Sequence, residues 1–70
     1  MVEIFKTDVQ NKMQAQFIIN LLQAGFTHAK INFDLDDCDK ILRIEGIEGS
    51  LSAVIVNDLK NLGFNCEVII

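Results

Sequence analysis

Two strings of this chain repeat each other at an offset of 38 residues: Leu21-Leu22-Gln23-Ala24-Gly25-Phe26 and Leu59-Lys60-Asn61-Leu62-Gly63-Phe64. Each closes a run of apolar residues at helical spacing with Gly-Phe. Glycine enters the left-handed conformation past a helix end without a Cβ clash, so each string marks a helix stop. The chain holds no proline and four glycines, which makes these two glycines its clearest punctuation. Two helix stops in 70 residues divide the chain into similar halves and leave room only for short strands around the helices.

The strands read from alternation. Val2 to Lys6 reads as a short first strand. Asp8 is expected to N-cap the first helix, since its carboxylate can accept from free backbone N–H groups. Met13, Phe17, Ile18, Leu21 and Leu22 form that helix's apolar stripe. Lys30 to Leu35 alternates, with Ile31, Phe33 and Leu35 inward. Asp36 to Asp39 is a polar turn. Lys40 to Glu45 alternates again, with Leu42 and Ile44 inward. Ser50 is expected to cap a second helix through about Leu62, with Leu51, Val54, Ile55, Leu59 and Leu62 as its stripe. Asn65 to Ile70 is the last strand.

The order is strand, helix, hairpin, helix, strand. Two split βαβ units of this kind predict one α+β domain over residues 1–70: a ferredoxin-like βαββαβ two-layer sandwich. Its four-stranded antiparallel sheet has order 4-1-3-2, with both helices on one face. Ile4, Phe17, Leu21, Phe33, Leu42, Ile44, Leu59 and Val68 are the expected core. Glu3, Phe5, Asn32, Asp34, Ile41, Arg43, Glu45, Glu67 and Ile69 are expected on the helix-free face.

Composition narrows the function. Half of the residues are hydrophobic, which fits a packed domain and not a disordered tail. The net charge is -4 and no Lys/Arg cluster offsets it, so a phosphate backbone would be repelled and nucleic acid is not an expected partner. No stretch approaches the roughly 18 consecutive apolar residues of a membrane span, and the start lacks a basic, then apolar, leader. The expected compartment is the cytoplasm. There two cysteines are too few to read as a disulfide framework.

Several strings resemble the heavy-metal-associated domain, the fold of small copper chaperones and of the N-terminal modules of metal-pumping ATPases. Lys30-Ile31-Asn32-Phe33-Asp34-Leu35, continuing to Ile44-Glu45-Gly46, is similar to that family's second and third strands. Leu62-Gly63-Phe64-Asn65-Cys66-Glu67-Val68 is similar to its last helix end and fourth strand. The resemblance covers essentially the whole chain. The family's Met-x-Cys-x-x-Cys metal loop is replaced by Thr7-Asp8-Val9-Gln10-Asn11-Lys12-Met13-Gln14, whose ligand positions fall near Gln10/Asn11 and Met13/Gln14. Copper(I) and zinc are held by thiolates, which amides do not replace. The resemblance therefore implies the scaffold without the metal site.

The remaining chemistry-bearing residues give weak patterns. Cys38 at the hairpin tip and Cys66 early in the last strand, helped by Met13, are the candidates for a displaced copper or zinc site. The sheet order sets them on the order of 10 Å apart, too far to share an ion, and Cys66 reads as a small core residue. Asp34, Asp36, Asp37 and Asp39 place Glu45 at position 12 of a calcium loop, but Asp39 occupies the position that needs glycine, and strands flank the segment. His28 has no carboxylate or cysteine within three residues. Ser50 and Ser52 sit at a helix start, where capping explains them. Gly46-Ile47-Glu48-Gly49 lacks the lysine and spacing of a phosphate loop.

No acid/base or nucleophile pair emerges, so the expected function is non-enzymatic. The expectation is a small binding module that acts through a protein partner or a weak homodimer. Its contact face is the helix-free side of the sheet, with Phe5, Ile41 and Ile69. The alternative is an ACT-like regulatory module that binds a small molecule between paired domains. It shares the βαββαβ order, but the first loop has no glycine for close ligand approach.

Overall fold

The computed structural model describes residues 2–69. Its elements are β1 (Val2–Thr7), α1 (Lys12–Gly25), β2 (Lys30–Asp34), β3 (Ile41–Glu45), a 3-10 turn (Gly49–Leu51), α2 (Ser52–Asn61) and β4 (Cys66–Val68). The strands form one antiparallel sheet of order β2-β3-β1-β4, which is the expected 4-1-3-2 order read from the other edge. Strand residues of one parity join α1 and α2 in a single core that contains Phe5, Leu42, Ile44, Ile18, Leu22, Ile55 and Leu59. The other parity faces away from both helices. Ile70, expected in the last strand, lies outside the described residues.

The alternation of β2 and β3 places its residues as expected, with Ile31 opposite Ile44 and Phe33 opposite Leu42 on the helix side. β1 runs with the opposite parity from expectation. Phe5 is wholly buried, and Glu3 and Thr7 lie beside it on the helix side, while Ile4 is half-buried on the other face. The physical reason is a partner from a distant element: Ser52 Oγ donates to Glu3 Oε1 at 2.6 Å, so the carboxylate is buried with a hydrogen bond. This frees Val2 and Ile4 for the outer face.

α1 also starts and faces differently. Asn11, not Asp8, is the N-cap, and its Oδ1 accepts from Gln14 N at 2.9 Å. The Asp8 carboxylate is engaged elsewhere, accepting from Asn65 N at 2.8 Å and Asn65 Nδ2 at 3.0 Å. The buried stripe is Ala15, Ile18 and Leu22. Phe17 and Leu21, expected in the core, are exposed along with Met13. In α2, Ile55 and Leu59 are buried as expected, but Val54 and Leu62 are exposed and Leu51 is half-buried. Ser50 does not cap this helix; the 3-10 turn winds directly into it.

The second helix stop works as its glycine suggests. Gly63 adopts φ +94°. Its N–H donates to Lys60 O at 3.0 Å, and Phe64 N donates to Leu59 O at 3.0 Å, the paired bonds of a Schellman close. Phe64 then packs against the core. Val68, opposite Phe5 on β1, is 44% exposed despite its expected burial, because β4 is a three-residue edge strand with no neighbour beyond it. Phe33 is only half-buried for the same reason at the β2 edge.

Candidate interaction surface

The candidate metal ligands do not converge. Cys38 is exposed at the β2–β3 tip, Cys66 is buried in β4, and Met13 is 83% exposed in the first turn of α1. Thr7 stands between the two cysteine regions. It pairs with Cys66 on one side, and its N–H donates to Asp39 O at 3.0 Å on the other. Two strand spacings of about 4.8 Å therefore separate β4 from the tip. Burial pushes the Cys66 thiol up to about 11, only partly opposed by Lys60 and by a backbone hydrogen bond from Glu67, so it is protonated at neutral pH. A protonated, buried thiol is a poor ligand.

Cys38 does have acidic neighbours. The ligand atoms of Asp37, Cys38 and Asp39 all lie within 4.8 Å of one another. The turn itself accounts for them: Asp37 Oδ1 accepts from Asp39 N at 2.8 Å, and Asp37 O accepts from Lys40 N at 3.0 Å. Lys40 takes φ 45°, and its Nζ donates to Leu35 O at 2.9 Å. The stretch from Gln10 to Gln14 is likewise occupied by capping. Gln14 Oε1 accepts from Gln10 N at 2.9 Å while Asn11 caps Gln14, so the amides close the helix start on themselves.

The helix-free face carries part of the expected set. Ile41 and Ile69 lie on it, and Ile69 N donates to Ile4 O at 2.8 Å, which sets Ile69 beside Ile4. Phe5 does not belong there, being fully buried under the helices. Val2 and Ile4 supply the apolar surface instead. Around them stand Lys6, Lys30 and Arg43 with Asp34, Glu45 and Glu67, three charges of each sign. Arg43 Nη1 donates to Asn32 Oδ1 at 3.1 Å.

The more unusual surface is the outer side of α1. Met13, Phe17 (54% exposed) and Leu21 (46% exposed) follow one another at intervals of four residues and form a single ridge. Beside its C-terminal end lies a cleft of about 280 Å³ between the helices, lined by Leu21, Leu22, Asp58, Asn61 and Leu62. Amides flank the ridge, with Gln16 Nε2 donating to Asn20 Oδ1 at 2.9 Å. Lys12 is the one charged residue of α1. Solvent-facing helices ordinarily carry acidic and basic side chains, whereas interface cores are depleted of charge and enriched in Met and aromatic residues. A signal was present in the sequence: no Asp, Glu, Lys or Arg occurs between Lys12 and Lys30. Comparison with protein-family models, with curated proteins and with solved structures finds no match.

Proposed function

We propose that this chain is a small non-enzymatic protein-binding module, built on a ferredoxin-like scaffold similar to the heavy-metal-associated domain but working through surface contacts in place of a paired-thiolate site. One observation carries the reading: the exposed side of α1 is an apolar ridge without charge. Met13 is 83% exposed, Phe17 54% and Leu21 46%, and covering that apolar surface is favourable at about 25 cal/mol per Å². The capped helix start and the protonated Cys66 weigh against a family-type copper or zinc carrier.

Two experiments test this. A photo-crosslinking residue placed at Phe17 in living cells gives discrete protein adducts, while one placed at Glu48, away from the ridge, does not; equal labelling at both positions removes the interaction reading. The reduced protein competes poorly with a strong Cu(I) chelator. Tight one-to-one binding that is lost in Cys38→Ser or Cys66→Ser restores a metal-carrier role. A second reading places the contact on the helix-free face, favoured by the Ile4–Ile69 pair and by Ile41. A crosslinker at Ile41 separates it from the first.

A further inference from the structure

We infer that the outer edge of β2 is a self-association site, where two copies of this chain join their sheets antiparallel across a two-fold axis at Asn32. This contact is separate from the α1 ridge and does not depend on it. In an antiparallel ladder the backbone groups of successive residues point to opposite neighbours. Ile69 N donates to Ile4 O, so Ile4 points to β4, and Glu3 and Phe5 point to β3. Thr7, of the same parity, donates to Asp39 O on that side. Ile44 and Leu42 lie opposite Glu3 and Phe5, which leaves Ile41, Arg43 and Glu45 to bond β2. Their partners Asp34, Asn32 and Lys30 therefore point to β3. Ile31 and Phe33 turn their N–H and C=O groups outward, and among the described residues no loop or turn bond reaches them.

A two-fold contact needs a patch that complements itself, and this edge does so in one register. Centred on Asn32, Ile31 of each copy lies opposite Phe33 of the other, and every outward backbone group finds a partner. Registers centred on Ile31 or Phe33 meet Ala29 or Leu35 instead. Ala29 N already donates to Phe26 O at 3.0 Å, and Ala29 O accepts from Gln23 Nε2 at 2.8 Å. Leu35 O accepts from Lys40 Nζ at 2.9 Å. On the helix-free face the Asn32 register sets Lys30 opposite Asp34 of the other copy, twice, at the non-hydrogen-bonded positions where facing side chains come closest. Both are exposed, and among the described residues neither is in an ion pair. On the helix side the half-buried Ile31 meets the half-buried Phe33. A cleft of about 390 Å³ between α1 and β2, lined in part by Ala15, Ile19, Phe33 and Leu35, adds apolar surface beside that pair. The β4 edge lacks this complement. It turns Cys66 and Val68 outward, so a two-fold pairing there centres on Glu67 and sets two carboxylates face to face.

The seam is shorter than a standard interface, which corresponds to a dissociation constant on the order of 100 μM. Sedimentation velocity from about 10 μM to about 1 mM is expected to carry wild type from monomer to dimer. Lys30→Asp and Asp34→Lys, each alone, turn two attractions into two repulsions and weaken the dimer roughly ten-fold. Mixing the two variants restores association, although both remain net negative, because every acidic position then meets a basic one. The double variant Lys30→Asp/Asp34→Lys keeps the wild-type net charge and dimerises like wild type. Amide hydrogen exchange by NMR reads wild type alone, without any substitution: protection at Ile31 and Phe33 rises with concentration, while Cys66 and Val68 do not change. A wild type that stays monomeric throughout overturns the proposal. Mixed variants that fail to associate, each folded by circular dichroism, overturn the register. Concentration-dependent protection at Cys66 and Val68 assigns the contact to β4, and a dimer lost in Phe17→Glu but kept in Lys30→Asp assigns it to the α1 ridge; either overturns the β2 edge. Phe17 crosslinks to other proteins bear on the ridge alone.

Discussion

Phe5→Ala is the sharpest probe of how β1 meets the helices. Phe5 has no exposed surface and sits at the centre of the core, opposite Leu42 on β3 and Val68 on β4. Its neighbours in the sheet are fixed by hydrogen bonds, so they close only part of the void left by the ring. Lost transfer energy and the residual cavity together cost about 3–5 kcal/mol. A domain of 70 residues has a total stability of about 3.5–10 kcal/mol at typical values per residue, so the variant is close to unfolded in buffer. Phe5→Leu keeps most of the volume and costs about 1–2 kcal/mol, which holds the comparison within measurable range. Ile4→Ala, on the half-buried outer face, costs about 1 kcal/mol. Urea unfolding followed by circular dichroism gives all three; with a slope of about 1 kcal/mol per molar, the midpoints separate by about 2 M or more between Phe5→Ala and Ile4→Ala. Ile4→Ala costing as much as Phe5→Ala refutes the parity of β1, since a slip of one residue exchanges the two faces.

Two further outcomes follow from the buried polar groups. Ser52→Ala leaves the Glu3 carboxylate without its close donor and costs about 1–3 kcal/mol, while Glu3→Leu combined with Ser52→Ala costs less than the sum of the single changes; a double-mutant cycle by urea denaturation checks this. Cys66 ionises at 9.0 when unfolded and at about 11 when folded, so its stabilising effect is whole below pH 9 and is lost as pH rises to 11. The stability difference between wild type and Cys66→Ala is therefore constant from pH 6 to 8.5 and narrows above pH 9, as followed by denaturation midpoints across that range.

The element order and the sheet order were legible because the hairpin alternates without ambiguity and Gly63 ends the second helix; Gly25, expected to end the first in the left-handed conformation, is instead the last residue of α1 without positive φ, and Phe26 caps that helix. The facing of β1 and α1 was not. Val2-Glu3-Ile4-Phe5 has apolar residues on both parities, and a carboxylate reads as solvent-facing until its partner is known. That partner, Ser52, lies 49 residues away. In α1, two apolar stripes overlap: Met13, Phe17 and Leu21 on one, Ala15, Ile18 and Leu22 on the other. Helical periodicity alone cannot choose between adjacent stripes, and the larger residues occupy the stripe that faces water. Asp8 and Asn11 are both competent caps. Asn65, brought over by β4, takes Asp8 and decides between them. The capping amides around Gln10 and Gln14 were visible as residues, but their mutual hydrogen bonds required the helix to start at Lys12.

The shortness of β4 gives the molecule an uneven energy landscape. β2 and β4 are both held from a single side, but β2 pairs with β3 along five residues, whereas β4 pairs with β1 along only three. Lifting β4 alone costs far less than global unfolding, so it is the first part of the sheet to open. Each opening bares the Cys66 thiol, which makes the residue a natural reporter of sub-global motion through its rate of labelling. The same event uncovers the second hydrogen-bonding edge of β1. That edge is a vacancy for any extended segment able to form three residues of antiparallel ladder, including β4 of a neighbouring molecule, so strand exchange between copies has its entry point there.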